Sequence, residues 1–386
     1  MTTLKQLQQE VKSELTQNIL PYWINKITDV SGGFYGRMDG KENLHKEAGR
    51  GAVMNARILW TFSSAYRLFG NKEYLTAAQN AFTYFINNFI DRKYGGVFWE
   101  LDSKGKPINT RKQMYAQGFA IYGLSEYYRA TGLQQSLEEA VKIFNCIEKY
   151  ALDTQYGGYI EALDRQWQTL EDMRLSEKDD NAPKSMNTHL HLLEPYTNLL
   201  RVWKDEQLKK AHKKLIDIFC NHIISNKTYH QYLFFDKAWN PLSCTISYGH
   251  DIECAWLLYE AAQVQGNAED IALVAVSIAD AAIEGLQKDG SMIYEKTNAH
   301  TVLDRHWWVQ AETVVGFYYA YKISGSSKYL EYATCAWNYI KTHVIDKTNG
   351  EWFWSISPEG TANTSEDKAG FWKCPYHNGR MCMEML

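Results

Sequence analysis

The stretch Asp91-Arg-Lys-Tyr-Gly-Gly-Val-Phe-Trp99 decides the fold, because its pattern of a turn followed by aromatic and β-branched residues recurs along the chain. Further copies begin at Asp29, Asp153, Lys288 and Asp346, and a glycine-poor copy begins at Tyr229. The equivalent glycines of neighbouring copies lie 60 to 63 residues apart. Self-similarity at a fixed period of this length is the signature of a fold built from repeated structural units. The sequence therefore predicts six such units.

Two kinds of helical pattern alternate between these turns. Some segments, such as 208–219, carry apolar residues at three- and four-residue steps, with lysines on the other side, which is typical of a surface helix. Others are apolar nearly all round, as a helix covered on both sides must be: 51–69, 113–129, 251–264 and 307–323. Six outer helices paired with six inner ones predict an all-α fold, an (α/α)6 barrel formed by a single domain over residues 1–386. The alternative is an open solenoid, which would need polar caps at both ends.

Composition narrows the classes of function. The 386 residues are 45% hydrophobic and 22% charged, which is typical of a globular protein and argues against a fibrous or disordered chain. A net charge of −4 provides no overall positive field, so neither nucleic acid nor a membrane surface is an expected partner. The aromatic share of 14% is high for a core alone, and large flat side chains also form platforms for sugars.

The sequence also indicates the cellular compartment of the protein. No apolar stretch is long enough to span a bilayer, and residues 1–15 contain no apolar signal core, so we expect a cytoplasmic protein. The seven cysteines are scattered and form no CxxC pair, which favours reduced thiols.

One mouth of the predicted barrel is the expected location of the functional site. Loops that follow inner helices are short, whereas those that precede them are long and contain the Gly-aromatic turns. We therefore expect short β-hairpins in the long loops at one mouth, beside the N-termini of the inner helices. Loops on a rigid scaffold carry function, and helix N-termini favour developing negative charge.

A histidine lies near the predicted start of three inner helices. In Asn187-Thr-His-Leu-His-Leu-Leu-Glu194, the residues Asn187, His191 and Glu194 share one helical face, whereas His189 points elsewhere. Pro195 follows directly. Since proline breaks a helix interior, this helix either starts near His191 or is kinked there.

The other two histidines begin later repeats. His250, Glu253 and Trp256 step by three along one face, a layout in which the carboxylate could orient and charge-tune the imidazole. His377 follows Lys373-Cys-Pro-Tyr, where the proline is a plausible helix start.

Several of these residues have simpler explanations. A single histidine in an apolar helix is more often a core residue, but three at equivalent barrel positions favour a site. Three histidines also suit zinc, yet they lie on different repeats and no HExxH motif occurs, so we expect no metal. Cys374 is better explained as a small buried residue than as a nucleophile. Arg57, inside an apolar inner helix, needs an anionic or multiply accepting partner.

Facing imidazoles inside aromatic walls favour proton transfer near neutral pH. With a sugar as the ligand, this pattern indicates enolisation chemistry more than glycoside hydrolysis, which usually requires two carboxylates.

Four segments also resemble a known family. MNTHLHLLE, YGHDIECAWLL, WWVQAE and WKCPYHNGRMCMEM look like the signature segments of the N-acylglucosamine 2-epimerase superfamily of (α/α)6 barrels, and of its cellobiose 2-epimerase branch in particular. The match runs in order along essentially the whole chain. The resemblance implies inversion of C2 of the reducing-end glucose of a β-1,4-linked disaccharide such as cellobiose, lactose or mannobiose, without metal or nucleotide cofactor.

The resemblance also implies roles for individual residues. His250 and His377 match the acid/base pair of the family, and His191 matches its third catalytic histidine. The matching substrate-binding residues are Arg57, Tyr115, Asp179, Asn187, Glu253, Trp308, Glu312 and Trp372, to which we add Trp256 for its place on the face of His250. A disaccharide is then the expected partner, bound by a monomer.

Other functions remain open from the sequence. An N-acylglucosamine 2-epimerase or an aldose–ketose isomerase would share the barrel and a histidine pair. An (α/α)6 glycoside hydrolase could use Glu253 and Glu312 as its two carboxylates. A noncatalytic sugar-binding protein would explain the tryptophans but not the histidines.

Overall fold

Inner and outer helices alternate along residues 3–386, the part of the chain that this computed structural model describes. Helices and strands are numbered in chain order. The outer helices are α1 (Leu4–Glu14), continued by a π-helical segment (Leu15–Ile19), α2 (Leu20–Tyr22) and a second π-helical segment (Trp23–Ile27); α4 (Lys72–Asn88); α6 (Gln134–Tyr150); α8 (Glu206–Ile218), with π-helical Phe219–Ile223; α10 (Ala268–Ala282), with 3-10 Ile283–Gly285; and α12 (Ser327–Tyr339), with π-helical Ile340–Val344. The inner helices are α3 (Ala52–Phe69), α5 (Met114–Thr131), α7 (Met186–Val202), α9 (Tyr248–Gln265), α11 (Trp307–Ser324) and α13 (His377–Glu384).

The inner helices close into a ring. Each packs against the next one along the chain, and α13 returns to pack against α3. The outer helix α1 also packs against α13, so the two ends of the described chain meet in the barrel wall. The predicted (α/α)6 barrel is confirmed, and an open solenoid is excluded because the ring of inner helices has no free end.

Burial explains why the two helix classes differ in sequence. Every residue from Ala52 to Ala65 of α3 and from Met114 to Tyr127 of α5 is buried, since neighbours cover these helices on all sides. In α8, by contrast, the buried residues form one stripe that includes Leu208, Ala211 and Leu215. The apolar and the one-sided patterns in the sequence therefore report inner and outer positions.

All six predicted turns are present, including the glycine-poor one. Each is closed by an antiparallel bridge between the residues that flank it: Thr28 with Phe34, Ile90 with Val97, Leu152 with Tyr159, Ile224 with Gln231, Leu286 with Met292, and Ile345 with Trp352. In the fourth copy Tyr229 adopts a φ of 60°, in the left-handed region where the second and third copies place pairs of glycines. The turn therefore forms without glycine.

Short strands link each repeat to the next. They are β1 (Arg50–Gly51), β2 (Glu100–Leu101), β3 (Pro107–Asn109), β4 (Lys112–Gln113), β5 (Ala162–Leu163), β6 (Lys184–Ser185), β7 (Phe234–Phe235), β8 (Ile246–Ser247), β9 (Glu295–Lys296), β10 (Thr301–Val302), β11 (Arg305–His306) and β12 (Ser355–Ile356). The strand before an inner helix pairs antiparallel with the strand after the next turn, as in β1 with β2 and β4 with β5. A bridge between Met38 and Ala369 makes the equivalent connection from the last repeat to the first.

The lengths of the loops that connect the helices show which mouth of the barrel has room for a functional site. Four inner helices, α3, α5, α9 and α11, end at a glycine with positive φ, which gives a short return to the outer layer. The long loops and strands gather at the other mouth, beside the N-termini of the inner helices. Two predicted starts were wrong: α9 begins at Tyr248 rather than Asp251, and α13 begins at His377 rather than at Pro375. Among residues 3–386, none of the helices has the length and apolar character needed to traverse a bilayer.

Candidate active site

Three histidines converge at the mouth formed by the long loops. His250 and His377 lie at the first turns of α9 and α13, and His191 lies in the second turn of α7. The indole of Trp308 packs against both His250 and His377, with ring centroids 4.8 and 5.6 Å apart. His191 packs edge-on against Tyr115 at 4.9 Å. Five different inner helices, α5, α7, α9, α11 and α13, therefore bring these rings together.

Two of the histidines are held by carboxylates. Nδ1 of His377 lies 2.7 Å from Oε1 of Glu312, and Nδ1 of His191 lies 3.1 Å from Oε2 of Glu194. Since a carboxylate only accepts hydrogen bonds, each of these Nδ1 atoms carries the proton. Nε2 of both rings is then left with a lone pair and is able to act as a base.

His250 has a different partner from the one that its sequence position indicates. Its Nδ1 lies 2.7 Å from the hydroxyl oxygen of Ser247, at the start of α9. Glu253 instead accepts a hydrogen bond from Arg380, and Trp256 donates its indole N–H to Glu312 at 3.0 Å. The prediction that Glu253 orients His250 was wrong, because a charged guanidinium buried beside that carboxylate is the stronger partner.

Arg380 is the residue that sequence reasoning missed. Its guanidinium is fully buried and donates to Glu253 at 2.6 Å, to Glu312 at 2.7 Å and also to Glu194. Tyr376 donates to the same Glu194 and also accepts from Arg380. A buried arginine in a helix otherwise rich in Met and Cys was the available signal, since such a charge needs acidic partners.

Burial sets the protonation of the three imidazoles. It lowers the pKa of His191 to about 4 and that of His250 to about 3. It also lowers the pKa of His377, and the positive charges of Arg57 and Arg380 add to that shift. All three rings are therefore neutral at neutral pH, which is the form that can accept a proton.

The three buried carboxyl groups differ among themselves. Burial alone would raise the pKa of Glu194, but Arg380 and His191 lower it to about 2. Burial, followed by repulsion from Glu312, raises the pKa of Glu253. Burial also raises the pKa of Glu312, against the opposing charge of Arg380. Glu194 is therefore ionised at neutral pH, whereas Glu253 and Glu312 share the positive charge of Arg380.

Arg57 has no anionic hydrogen-bond partner among residues 3–386, which leaves the other expected kind of partner, a group that accepts several hydrogen bonds. Its guanidinium lies over the rings of Phe119 and Tyr376, 4.1 and 4.5 Å from their centroids, and donates to the Tyr115 hydroxyl at 2.8 Å. Its Nε has no hydrogen-bond partner in the described chain. Cation–π contacts hold the charge in place and leave donors free for a ligand oxygen.

Pro195 does not interrupt the helix that carries His191. The helix α7 runs unbroken from Met186 to Val202, so the idea that it starts near His191 was wrong. Because Pro195 has no N–H, the His191 carbonyl lacks its usual helical donor. That carbonyl faces Gly118 of α5 so closely that a side chain there would collide with it.

His189 points away from the other histidines, as the helical step predicted. Its Nδ1 bonds the Ser185 carbonyl, and its Nε2 accepts a hydrogen bond from the Tyr159 amide.

A cleft of about 460 Å³ extends from His250. Asn187 and Asp179 line it, as do three residues that sequence reasoning missed: Glu161, Tyr294 and His306. The Asn187 side-chain oxygen has no protein partner within residues 3–386. Asp179 is tied to Ser176, and burial raises its pKa.

The two predicted sugar platforms flank the histidines. Trp308 is half-buried beside His250 and His377, and Trp372 is half-buried with its ring 6.2 Å from that of Tyr115. All twelve residues named from the sequence therefore belong to one connected cluster at this mouth.

Neither a metal ligand set nor a thiol nucleophile is needed to explain the cluster. Ligand atoms of Glu253, Glu312 and His377 lie within 4.8 Å of one another, but Arg380 already supplies the cation between the two carboxyl groups. Burial raises the pKa of the Cys374 thiol to about 11, so it is protonated at neutral pH. The site can accept, hold and return protons beside a positive donor.

Comparisons with known proteins agree with this chemistry. The profile of the N-acylglucosamine 2-epimerase (GlcNAc 2-epimerase) family matches residues 33–379. The chain is 53% identical to a cellobiose 2-epimerase of Bacteroides fragilis, over 98% of both chains. It is 41% identical to one of Ruminococcus albus, over 98% of this chain and 97% of that one. The solved structure of cellobiose 2-epimerase from Bacillus thermoamylovorans superimposes with a TM-score of 0.95, at 40% identity and 98% coverage of each chain.

Proposed function

Because the chain belongs to the N-acylglucosamine 2-epimerase family and is a carbohydrate epimerase, an isomerase, we propose that it inverts C2 of the reducing-end glucose of β-1,4-linked disaccharides. Cellobiose is the first candidate, since relatives named cellobiose 2-epimerase match along nearly the whole chain. Lactose and mannobiose present a similar reducing end and are further candidates. The observation that carries the proposal is that His250 and His377 pack against the same Trp308 indole.

The reaction begins with opening of the reducing-end ring to the free aldehyde, assisted by His191. One of the pair His250 and His377 then takes the C2 proton through a free imidazole nitrogen. The C–H electron pair becomes the C1–C2 double bond, and the carbonyl electrons move to the C1 oxygen, which gives a cis-enediolate. Arg57 stabilises the negative oxygen, since its guanidinium has donors that the described chain leaves free.

Inversion is completed from the other face. After rotation about the C2–C3 bond, the other histidine returns a proton to C2 and yields a mannose unit. The negative enediolate raises the proton affinity of nearby imidazoles, so rings that are neutral before the reaction become able to hold and then donate a proton. Protonation at C1 instead gives a ketose, so slow isomerisation is the expected side reaction.

The remaining roles follow from position. Asn187 and Asp179 line the cleft next to His250, and we assign both to substrate binding, with Asn187 at the reducing-end sugar. Trp308 and Trp372 provide stacking faces for the sugar rings. We further propose that residues 1–386 act as one catalytic domain, of which residues 1–2 lie outside the described chain. We also propose that the enzyme is a monomer and works in the cytoplasm.

Glycoside hydrolysis fits the geometry poorly. Hydrolysis needs two carboxyl groups on opposite sides of the scissile bond. Glu253 and Glu312 instead accept hydrogen bonds from the same Nη2 atom of Arg380, at 2.6 and 2.7 Å. They therefore lie side by side behind the histidines.

Incubation with cellobiose in D2O without added metal tests the proposal. NMR should show deuterium at C2 and a glucosyl-mannose product. Free glucose would indicate hydrolysis instead. Absence of C2 exchange with cellobiose, lactose, mannobiose and free monosaccharides would refute the epimerase mechanism. Exchange with monosaccharides only would refute the disaccharide assignment.

A further inference from the structure

Glu253 and Glu312 belong to neighbouring inner helices, α9 and α11, and both accept from one nitrogen of Arg380. We propose that these two carboxyl groups hold one proton between them at neutral pH, with Glu253 as the neutral acid and Glu312 as the carboxylate that fixes His377. Glu253 is then a positioning residue that limits the basicity of His377. The role given to His377 rests on the proposed function, but the shared proton does not.

The two carboxyl groups lie close together. Arg380 Nη2 lies 2.6 Å from Oε1 of Glu253 and 2.7 Å from Oε1 of Glu312. Both side chains are almost completely buried, and each places an oxygen within 4.8 Å of the other and of His377. Two carboxylates this close in a low-dielectric interior repel each other, so that one of them keeps its proton.

The charge of the whole buried centre also favours one retained proton. The titratable groups that face the pair are Glu194 and His191 from α7, Arg57 from α3, Tyr115 from α5, His250 and Cys254 from α9, and Tyr376, His377 and Arg380 at α13. The thiol of Cys254 is neutral because burial raises its pKa. The histidines are neutral because burial lowers their pKa, and both tyrosines are neutral because burial raises theirs. Two arginines then face three glutamates, and a single retained proton makes this buried centre electrically neutral.

The number of donors decides which carboxyl group is charged. Glu312 accepts from three groups, namely His377 Nδ1, Arg380 Nη2 and the Trp256 indole. Glu253 accepts from Arg380 alone, and its Oε2 has no partner among residues 3–386. Hydrogen-bond donors stabilise the ionised form, so the charge belongs on Glu312 and the proton on Glu253.

The arrangement has a consequence for His377, whose Nδ1 lies 3.9 Å from Oε1 of Glu253. A second negative charge at this distance would stabilise the imidazolium after His377 has taken the substrate proton. Return of that proton would then be slowed. Deprotonation of Glu253 at alkaline pH should therefore reduce turnover, and Glu253→Gln should remove this alkaline limb.

Infrared difference spectra of the substrate-free enzyme between neutral and alkaline pH test the protonation directly. The wild type should lose a carboxylic-acid C=O band on deprotonation, and this band should be missing in Glu253→Gln. Glu312→Gln should lose it too, because Glu253 ionises once its neighbour is neutral. Glu148→Gln is the matched control. It removes another buried carboxyl with a raised pKa, bonded to Tyr159 and Tyr196, and should keep the band of the pair.

Kinetics separate the two roles. Glu253→Gln should remove the alkaline limb of the kcat profile, whereas Glu312→Gln should lose about 100-fold in kcat at neutral pH with little change in KM. Glu253→Met, a neutral side chain of similar length, substitutes if the glutamine variant does not fold. An unchanged acid band in both Glu253 variants, or an alkaline limb of kcat that persists in Glu253→Gln, overturns the proposal. If the wild type exchanges no C2 proton at all, the proposed function fails while the infrared result still decides the shared proton.

Discussion

His250 and His377 contact the same indole but have different partners, a serine hydroxyl and a carboxylate. If they serve opposite faces of C2, removing either one leaves a base on one face only. We therefore expect His377→Asn and His250→Asn each to lower epimerisation by about 10³-fold. Each variant should still exchange the C2 hydrogen of one epimer with D2O, and the two variants should differ in which epimer. NMR of C2 deuteration, starting from glucose-ended and from mannose-ended disaccharide, measures this.

The control for this pair is His222→Asn. His222 follows α8 in the outer layer and stacks on Trp239 at 5.2 Å, so both exchange reactions should continue at their wild-type rates. If both active-site variants exchange the same epimer, or if either epimerises normally while folded, the two-face assignment is wrong.

Glu253 also leads to a prediction about stability. Its pKa is raised in the folded state above the ordinary value of 4.5, so folding takes up a proton at any pH between the two values. Stability contributed by the neutral form is then lost as pH rises, by at most about 1.4 kcal/mol per pH unit. Glu253→Gln removes this dependence, so its free energy of unfolding relative to wild type should rise with pH from about pH 5 to about pH 8. Urea unfolding at several pH values measures it, and parallel curves for the two proteins would contradict it.

The limits of sequence reasoning at this scale follow from distance along the chain. The three histidines were recognisable because each lies in its own helix start, a local signal. Arg380 was missed, since its partners Glu194, Glu253 and Glu312 lie 186, 127 and 68 residues away and only the closed barrel unites them. For the same reason the helical step from His250 to Glu253 suggested a pair that Arg380 prevents. For Arg57 the sequence left two kinds of partner open, and it could not show that aromatic faces would lie against the charge.

At the scale of elements, the close approach of α5 to α7 positions His191. Gly118 faces the His191 carbonyl, which Pro195 leaves without its usual helical donor. We expect Gly118→Ala to destabilise the fold by about 1–3 kcal/mol, because the added methyl must push the two helices apart. The shift moves His191, so kcat should fall as well. Urea unfolding and the epimerisation rate measure the two effects.

A second glycine, at the C-terminal end of the same helix α5, serves as the control. Gly132 ends α5 with a φ of 71° and has no heavy atom near its missing side chain, so Gly132→Asn should cost little and leave the rate unchanged. A Gly118→Ala variant that is as stable and as active as wild type would show that the helices can separate freely at His191.

Elements differed in how well the sequence revealed them. Long helices with a clear apolar period were found, because burial on one side or on all sides leaves its mark on many residues. Helix starts were less certain: α13 begins two residues after Pro375, where the chain first turns inward. The strands are two or three residues long, and five of the seven strand pairings within residues 3–386 join residues about 50 positions apart, so no local pattern marks those five. The fourth turn was detectable only by its spacing, since Tyr229 replaces glycine there.

At the scale of the whole molecule, the repeat makes a ring whose ends meet. Gln8 of α1 donates to the Met385 carbonyl at 2.8 Å, and Trp337 of α12 donates to Glu10 of α1 at 2.9 Å. The bridge between Met38 and Ala369 continues the strand connections across the same junction. The junction between the termini is therefore built like the other repeat boundaries. The chain ends could lie at any of the six boundaries without changing the packing of the ring.

This equivalence predicts that the chain can be opened elsewhere. A circular permutant that joins residue 386 to residue 1 by a short flexible linker and begins at Gly132 should fold, because 131–135 is exposed and lies away from the histidines. We expect one cooperative unfolding transition and an epimerisation rate close to that of the original chain. A permutant opened between Asp180 and Asn181 is the matched comparison. It should also fold but have a lower kcat/KM, because it frees the segment that holds Asp179 against the cleft. Calorimetry and initial rates on both permutants measure these effects. If the Gly132 permutant unfolds in two steps or does not fold, the junction between the termini contributes to the stability of the barrel in a way that the other five repeat boundaries do not.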